Sequence, residues 1–206
     1  MISDFAKMIK RIFDIFFSFF GLLILSPIFV ILAVWIKLDS SGPVFFRQVR
    51  IGRLGRPFRI YKFRSMVVNA ESKGHQITVG EDPRITKSGR FLRHHKLDEL
   101  PQLINVLLGD MSLVGPRPEV PRYVELFKDA YETVLQVKPG ITDYAAIEFR
   151  DEEKILKKYD QPEEGYVKEV LPKKIELYRK YIDSQGQWTD LKLIFLTLRS
   201  IFGKQF

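Results

Sequence analysis

A run of 25 residues from Ile12 to Ile36 is almost wholly apolar. As a single helix it would be about 38 Å long, enough to cross the roughly 30 Å hydrocarbon core of a bilayer. A secretory signal fits less well, because its apolar region is typically about 7–15 residues long and ends at a small-residue cleavage site that is not found here. The run therefore predicts a membrane segment, and a buried helix of a soluble core is disfavoured.

Two features of this segment argue against a straight span. Pro27 removes a backbone hydrogen bond, so a kink is expected at Ser26-Pro27, where the Ser26 hydroxyl can bond a freed carbonyl. Asp14 places a charge inside the apolar run. Basic residues flank both ends, which by the positive-inside rule keeps both cytoplasmic: Lys7, Lys10, Arg11, Lys37, Arg47, Arg50, Arg53 and Arg56. A re-entrant helix is predicted, with an ordinary kinked transmembrane helix as the alternative.

The composition is that of one basic domain with an anionic partner. The 206-residue chain has a formal charge of +8, which suits nucleic acid, an anionic membrane surface or a phosphorylated substrate. The absence of cysteine excludes a thiol nucleophile and Cys-ligated zinc, and dinucleotide, Walker A and serine-hydrolase motifs are missing from the sequence. The turn-forming Ser40-Ser41-Gly42-Pro43 predicts a boundary between an anchor, residues 1–42, and a catalytic domain, residues 43–206.

Asp98 and Glu99 are the strongest candidates for chemistry. The pattern predicts a helix over residues 98–108, with Asp98 as N-cap, Pro101 in the first turn and Gly109 as the stop. The pair follows a cationic segment that should favour the ionised carboxylates: Arg84, Lys87, Arg90, Arg93, His94, His95 and Lys96. Such a carboxylate suits a nucleophile attacking a phosphate ester, with a divalent metal bridging both. The alternative is an acidic pair that only complements the helix dipole.

The remaining segments predict an α/β fold rich in helices. Residues 44–51 and 58–64 predict a β-hairpin, and residues 69–87 a mobile loop over the site. Apolar spacing predicts helices over residues 119–137, from Pro172 onwards, and from Trp188 to Phe202. The last of these could lie in a membrane interface or pack on the core. The charge-dense residues 151–169 are interpreted as a short solvated helix and loop.

Three short stretches carry candidate anion-binding groups. In Gly115-Pro116-Arg117-Pro118 two prolines hold a guanidinium suited to bidentate recognition of a phosphate, although a plain turn is the alternative. Lys138-Pro139-Gly140-Ile141-Thr142 could offer a cation and backbone N–H groups. The basic residues of the hairpin, interleaved with aromatics, could bind phosphate or nucleic acid or simply be solvated: Arg59, Lys62 and Arg64.

Together these segments resemble the monotopic phosphoglycosyl transferases, also called bacterial sugar transferases. The resemblance rests on motifs in that family's order: Lys10-Arg11-Ile12-Phe13-Asp14, Ser26-Pro27, Tyr61-Lys62-Phe63-Arg64-Ser65-Met66, Asp82-Pro83-Arg84-Ile85-Thr86, Leu97-Asp98-Glu99-Leu100-Pro101-Gln102, Gly109-Asp110-Met111-Ser112, Gly115-Pro116-Arg117-Pro118 and Lys138-Pro139-Gly140-Ile141-Thr142. Each motif alone is weak, but together they are specific and cover nearly the whole chain. The chain resembles a short form that contains only the catalytic core.

The resemblance implies transfer of a sugar 1-phosphate from a UDP-sugar to a polyprenyl phosphate such as undecaprenyl phosphate, with release of UMP. It implies a ping-pong reaction in which Asp98 attacks the β-phosphate to form a covalent phosphosugar intermediate. Glu99 would assist, and Mg²⁺ would be bound at Asp98 and Glu99. Four basic residues would line the phosphate and nucleotide site: Lys62, Arg93, Arg117 and Arg150.

The same resemblance implies a location and partners. Asp14, Ser26 and Pro27 match a re-entrant helix whose Ser-Pro break keeps the enzyme on the cytoplasmic face of the bacterial inner membrane. The implied fold is a compact α/β catalytic domain with a β-hairpin and interfacial amphipathic helices. Expected partners are membrane phospholipid and downstream glycosyltransferases besides the two substrates, with a homodimer as an option and no nucleic acid. The pathway would be surface glycan synthesis, in exopolysaccharide, capsule, O-antigen or a glycoprotein glycan.

Two departures from the family pattern leave the sugar open. Asp143-Tyr144 stand where many members have another glycine after Gly-Ile-Thr, and the acidic stretch after Arg150 is longer than in the smallest members. Galactose, glucose and N-acetylated or deoxy sugars all remain candidates. Two other classes of function also remain: a membrane-anchored basic module that binds nucleic acid or anionic lipid, and a structural subunit of an envelope assembly without turnover.

Overall fold

The computed structural model describes residues 4–70 and 82–202, so most of the predicted loop over residues 69–87 lies outside the described residues. Helices dominate, and two small two-stranded sheets accompany them. The helices are α1 Asp4–Asp39, α2 Lys87–His94, α3 Gln102–Leu108, α4 Pro121–Leu126, α5 Lys128–Val134, α6 Tyr144–Glu148, α7 Glu152–Leu156, α8 Pro162–Gly165, α9 Leu171–Asp183 and α10 Gln187–Phe202. The strands are β1 Phe45–Ile51, β2 Pro57–Phe63, β3 Ser112–Val114 and β4 Gly140–Thr142. The helix-rich α/β class is confirmed.

The apolar run lies within α1, a continuous helix of 36 residues that passes through Pro27. Proline at position 27 frees the carbonyl of Leu23, and the Ser26 hydroxyl donates to this carbonyl at 2.7 Å, as the sequence predicts. Within the described part of the chain, α1 is the one helix long and apolar enough to cross a membrane. The helix is not interrupted at Ser26-Pro27, and the re-entrant path stays a prediction.

The N-terminal half of α1 is bonded to the domain through polar groups. Asp14 is buried, and its carboxylate accepts hydrogen bonds from the Ser112 hydroxyl at 3.1 Å and the Leu113 N–H at 3.0 Å. The Arg11 guanidinium donates to the carbonyls of Val106 and Leu107, in the last turn of α3. A cation there satisfies carbonyls that have no intrahelical partner and complements the negative end of the helix dipole.

The C-terminal half of α1 packs against the same domain. Phe29 meets Phe63 of β2 with ring centroids 5.1 Å apart, and Trp35 meets Phe91 of α2 at 5.2 Å. The Asp39 carboxylate accepts from both the N–H and the hydroxyl of Ser88, each at 2.8 Å. Both halves of the apolar helix are therefore attached to the same domain.

The two sheets were predicted unequally. β1 and β2 form the expected antiparallel hairpin, with Phe45 opposite Phe63. The second sheet pairs β3 with β4 in parallel, whereas the sequence predicted only turns around Gly115 and Gly140. This pairing depends on a close backbone approach, because a Cβ atom on Gly140 would lie 2.0 Å from the Gly115 nitrogen. A three-residue strand is too short to show a hydrophobic period in sequence.

The predicted helix over residues 98–108 begins later than expected, and Asp98 as its N-cap was wrong. Leu97–Glu99 form a 3₁₀ turn, and α3 starts at Gln102, directly after Pro101. Lys96 precedes the turn in a left-handed conformation with φ 56°, so the chain reverses there. Gly109 ends α3 with φ 97°, which confirms the predicted stop.

Two further expectations for the C-terminal half were wrong. The single helix predicted over residues 119–137 is divided into α4 and α5, because Phe127 leaves the helical conformation with φ −119° and ψ 38°. Residues 151–169 are not a solvated helix and loop, because part of this segment is buried. Although most of these residues are polar, Leu156 and Tyr166 are buried in the core that also contains α9, and so is Val170, which follows the segment.

The last two helices agree with the prediction. α9 has Pro172 in its first turn and buries Ile175, Tyr178 and Tyr181. α10 packs Leu193 into the core, whereas a row of large apolar residues on it is exposed: Trp188 (85%), Leu191 (44%), Phe195 (64%) and Leu198 (49%). The helix therefore both packs on the domain and presents an apolar surface outward.

Candidate active site

The 3₁₀ turn Leu97–Glu99 places both carboxylates between α2 and α3. Leu97 packs with Leu32, Phe63 and Leu92, so the turn rests on the cluster that joins α1 to β2 and α2. The preceding Lys96 donates through its ammonium group to the backbone carbonyl of Arg150 at 2.9 Å. These contacts join the turn to the rest of the domain.

Glu99 is held by two cations from distant parts of the chain. Lys62 of β2 donates to Oε1 at 2.8 Å, and Arg117 donates to Oε2 at 3.0 Å through Nη1 and to Oε1 through Nη2. Burial opposes ionisation of Glu99, but the charges of Arg117 and Lys62 outweigh it and hold the pKa of Glu99 well below its ordinary value. Glu99 is therefore an anion whose two oxygens are both occupied.

Asp98 is in the opposite situation. Its side chain is buried, and within the described residues its carboxylate makes no hydrogen bond or ion pair. Burial and the neighbouring charge of Glu99 raise the pKa of Asp98, against the opposing charges of Lys62, Arg93 and Lys96. The expectation that the cationic approach favours ionised carboxylates therefore holds for Glu99 and is wrong for Asp98, because burial outweighs the cations there.

The two cations around Glu99 respond to it differently. Burial lowers the pKa of Lys62, and the charge of Glu99 acts against this change. The charge of Glu99 is the main reason that the pKa of Arg117 is raised well above its ordinary value. Glu99 therefore favours the charged form of Lys62 against the effect of burial. Arg117 is charged under all ordinary conditions.

The other two predicted basic residues lie nearby but contact neither carboxylate. Arg93 of α2 forms an ion pair with Glu153 of the acidic stretch, and its charge still acts on Asp98. Arg150 is tied to the site through its backbone carbonyl, which Lys96 binds. The structure thus brings Lys62 and Arg117 into direct contact with the carboxylate pair and places Arg93 and Arg150 around it.

A sequence model described as bacterial sugar transferase matches residues 5–204. The chain belongs to the bacterial sugar transferase family. The resemblance seen in the motifs is thereby confirmed.

Three named relatives are similar in sequence to this chain. The UDP-glucose:undecaprenyl-phosphate glucose-1-phosphate transferase of Escherichia coli (strain K12) is 40% identical over 201 residues, covering 96% of this chain and 41% of the relative. The UDP-N-acetylgalactosamine-undecaprenyl-phosphate N-acetylgalactosaminephosphotransferase of Aeromonas hydrophila is 38% identical over 204 residues, covering 97% and 45%. The uncharacterized sugar transferase EpsL of Bacillus subtilis (strain 168) is 39% identical over 193 residues, covering 94% and 87%. The chain thus spans less than half the length of the first two relatives and most of EpsL.

Next to the Pro-Arg-Pro segment lies a buried charge network that was not predicted from the sequence. The Lys174 ammonium group is 2.8 Å from a Glu152 oxygen and 3.5 Å from a Glu119 oxygen. The Tyr166 hydroxyl donates to Glu119 at 2.7 Å, and Arg50 lies 3.6 Å from the other Glu119 oxygen. The sequence feature that could have drawn attention to Glu119 is its position directly after Pro118. The sequence has no comparable feature at Lys174 or Glu152, because charged residues on helices are usually solvated.

The two carboxylates of the candidate site fit Mg²⁺ in part. No group of three or more His, Asp or Glu side chains suitable for a metal occurs among residues 4–70 and 82–202. Mg²⁺ is commonly held by one or two carboxylates together with substrate phosphates and water, so a dedicated protein cage is not required. Asp98 has unengaged oxygens and fits this role, whereas Glu99 would first have to release Lys62 or Arg117. Mg²⁺ binding at Asp98 and Glu99 stays a prediction.

Proposed function

We propose that this protein transfers a sugar 1-phosphate from a UDP-sugar to a polyprenyl phosphate such as undecaprenyl phosphate, releasing UMP. One observation carries the proposal of a covalent route. Of the two adjacent carboxylates, Glu99 is bound by Lys62 and Arg117, and Asp98 is left without a partner among the described residues. Only Asp98 has oxygens free to attack a phosphorus atom.

The reaction proceeds in two displacements. A carboxylate oxygen of Asp98 attacks the β-phosphorus of the UDP-sugar, the bond from that phosphorus to the bridging oxygen breaks, and UMP leaves with the bond electrons. The product is an aspartyl phosphosugar, an acyl phosphate. An oxygen of the polyprenyl phosphate then attacks the same phosphorus, and the Asp98 carboxylate is released, so the enzyme returns to its starting state.

The cations neutralise the charge that gathers at the phosphates. Arg117 and Lys62 already compensate Glu99, and they are positioned to share their remaining donors with phosphate oxygens next to Asp98. Arg93 and Arg150 would bind the nucleotide diphosphate after Arg93 exchanges Glu153 for a phosphate. Mg²⁺, when bound, would supply further neutralisation of the diphosphate oxygens.

A membrane location on one face is supported by α1 and α10. Asp14 and Trp35 are 21 positions apart, about 32 Å along a helix, yet both contact the same domain. A helix that crossed a bilayer perpendicularly would separate these contacts by the membrane thickness. The outer face of α1 exposes large apolar residues, and α10 adds its own exposed row. We therefore propose a monotopic enzyme with residues 1–42 as anchor and residues 43–206 as catalytic domain, on the cytoplasmic face of the bacterial inner membrane.

Cysteine labelling tests this topology. The natural chain has no cysteine, so Lys7→Cys and Lys37→Cys each introduce one exposed thiol, before and after the apolar run. Both should resist a membrane-impermeant maleimide in intact spheroplasts and react in inside-out vesicles, because both ends of α1 lie on the cytoplasmic side. Asp160→Cys, in the exposed part of the catalytic domain, marks the cytoplasmic pattern. Labelling of the two ends from opposite sides would establish a true span instead.

The activity is tested with detergent-solubilised protein, Mg²⁺, undecaprenyl phosphate and a panel of UDP-sugars covering glucose, galactose, and N-acetylated and deoxy sugars. At least one sugar should give continuous UMP release. Without the lipid acceptor, that sugar should give a burst of no more than one UMP per enzyme, because the phosphosugar stays on Asp98. No release with any sugar would remove the proposed activity, and release that strictly requires the lipid would remove the covalent route.

A product of this chemistry would enter surface glycan synthesis. A polyprenyl diphosphosugar is a membrane-bound sugar primer, so glycosyltransferases that extend it would act next. The relatives named above act on glucose in one case and on N-acetylgalactosamine in another, and the panel decides which sugar this chain takes.

A further inference from the structure

Asp143 is a fully buried carboxylate whose two oxygens bind two different backbone groups. It directly follows β4, and its Oδ1 accepts a hydrogen bond from the Ala146 N–H at 2.6 Å, which caps the N-terminus of α6. Its Oδ2 accepts a hydrogen bond from the Arg117 N–H at 3.1 Å. One side chain therefore joins a helix start to the segment that carries the arginine bound to Glu99.

The Arg117 N–H is a special donor because of its neighbours. Proline has no N–H, so within Pro116-Arg117-Pro118 the N–H of Arg117 is the only backbone donor. Asp143 accepts a hydrogen bond from this group, while the flanking backbone is bonded elsewhere. The Gly115 N–H donates to the Thr142 carbonyl at 3.0 Å, and the Gly140 N–H donates to the Pro116 carbonyl at 2.9 Å.

The downstream side of the segment is bonded as well. Arg50 donates to the Pro118 carbonyl at 3.1 Å, and the Ile51 N–H donates to the Glu119 carbonyl at 3.0 Å. The segment is thus fixed before, at and after Arg117, and the bond at Arg117 itself comes from a side chain. Replacing Asp143 removes the bond at Arg117 directly, whereas none of the other bonds involves the Asp143 side chain.

Position 143 requires a side chain with two hydrogen-bond acceptors and no donor. A carboxylate meets this requirement, whereas the amide nitrogen of asparagine would face one of the two N–H groups. Burial raises the pKa of Asp143 to about 6, and its hydrogen bonds from Ala146 and Arg117 oppose this rise. At neutral pH the ionised form, which accepts both bonds, therefore predominates.

We infer that Asp143 is a positioning residue that holds the backbone of Arg117 so that its guanidinium reaches Glu99 beside Asp98. The expected effect on UMP release rests on the proposed function. The expected effect on the Arg117 backbone rests on the geometry alone. In the described part of the chain Asp143 makes no hydrogen bond or ion pair with either carboxylate of the pair, so its effect on turnover passes through Arg117.

The test variant is Asp143→Ser, whose hydroxyl can still cap α6 but cannot also accept from Arg117. It should lower kcat/KM for UMP release about tenfold or more, in line with the loss of one hydrogen bond that aligns a reacting group. In an Arg117→Lys background, which lacks the bidentate fork, the same substitution should change kcat/KM less than about threefold. Asp160→Ser, at an exposed aspartate, is the matched control and should match wild type in both backgrounds.

Hydrogen exchange gives a readout that does not depend on activity. In a peptide of residues 114–118 the first two residues lose their deuterium by back-exchange, and Pro116 and Pro118 have no N–H. The Arg117 amide is then the one that retains deuterium, so its protection can be followed by mass spectrometry. Asp143→Ser should speed its exchange, and Asp160→Ser should not. If Asp143→Ser does not fold, Asp143→Asn, which keeps one acceptor and the same shape, takes its place.

Each result bears on one of the two proposals. Equal losses of kcat/KM in the wild-type and Arg117→Lys backgrounds, or unchanged exchange at Arg117, would overturn the positioning role. If wild type releases no UMP while exchange at Arg117 still quickens in Asp143→Ser, the proposed function fails and the structural coupling stands.

Discussion

Replacing Asp98 by asparagine should reduce UMP release by on the order of 10³-fold or more, because it exchanges the nucleophilic carboxylate for a neutral amide of the same shape. Wild-type protein incubated with its UDP-sugar and no lipid acceptor should gain the mass of one phosphosugar, located at Asp98 by peptide mapping. The Asp98→Asn protein should show no such adduct. Initial rates of UMP release and intact-protein mass spectrometry measure the two effects.

The matched control is Asp160→Asn, at an exposed aspartate with no hydrogen bond or ion pair in the described residues. It should retain wild-type rate and adduct. Undiminished turnover by Asp98→Asn would refute the covalent mechanism and leave Glu99 or direct attack by the lipid to be considered. A basic binding module for lipid or nucleic acid predicts that neutralising Asp98 changes binding little, so the same variant separates a catalytic from a binding function.

Replacing Glu99 by glutamine should lower kcat/KM by on the order of 10²-fold and move the whole pH profile toward acid. The charge of Glu99 raises the pKa of Asp98. Without that charge Asp98 ionises at lower pH, so the acidic limb of the profile shifts to lower pH. The same charge raises the pKa of Lys62 against the effect of burial. Without it Lys62 loses its proton at lower pH, so the alkaline limb of the profile also shifts to lower pH. Profiles of kcat/KM between about pH 5 and pH 10 measure both limbs.

Glu148→Gln serves as the control for this variant, because Glu148 is exposed at the end of α6 and has no hydrogen bond in the part of the chain that the structure describes. Its profile should coincide with that of wild type. If Glu99→Gln lowers kcat/KM but leaves both limbs of the profile at their wild-type pH, the electrostatic coupling is contradicted. Glu99 would then act only as a steric support for Arg117.

Local patterns in the sequence were sufficient for several elements. The hairpin follows from aromatic and β-branched residues that alternate on two strands, and Gly109 ends α3 because glycine adopts positive φ at low cost. α9 follows from apolar residues repeating with the helical period. In each of these, residues a few positions apart determine the conformation.

The errors occurred where distant contacts override local preference. Asp98 looks like an N-cap, but the left-handed Lys96, bonded to the Arg150 carbonyl, directs the chain into a 3₁₀ turn first. Residues 151–169 look solvated because charged residues outnumber apolar ones there, yet a few large side chains such as Tyr166 pack against α9. Their burial is decided by what lies opposite, which no local window contains.

The sequence by itself determined which chemistry is available: an apolar anchor, an acidic pair beside cations, and a proline-held arginine, in the order of one family. Only the tertiary structure decided how the two carboxylates differ. Lys62 lies 37 positions before Glu99 and Arg117 lies 18 positions after it, and both bind its carboxylate. Asp98 is buried beside them without such a bond in the described part of the chain. The strength of a charge interaction depends on distance and burial in space, so the division of roles between neighbouring carboxylates arises only when the chain is folded.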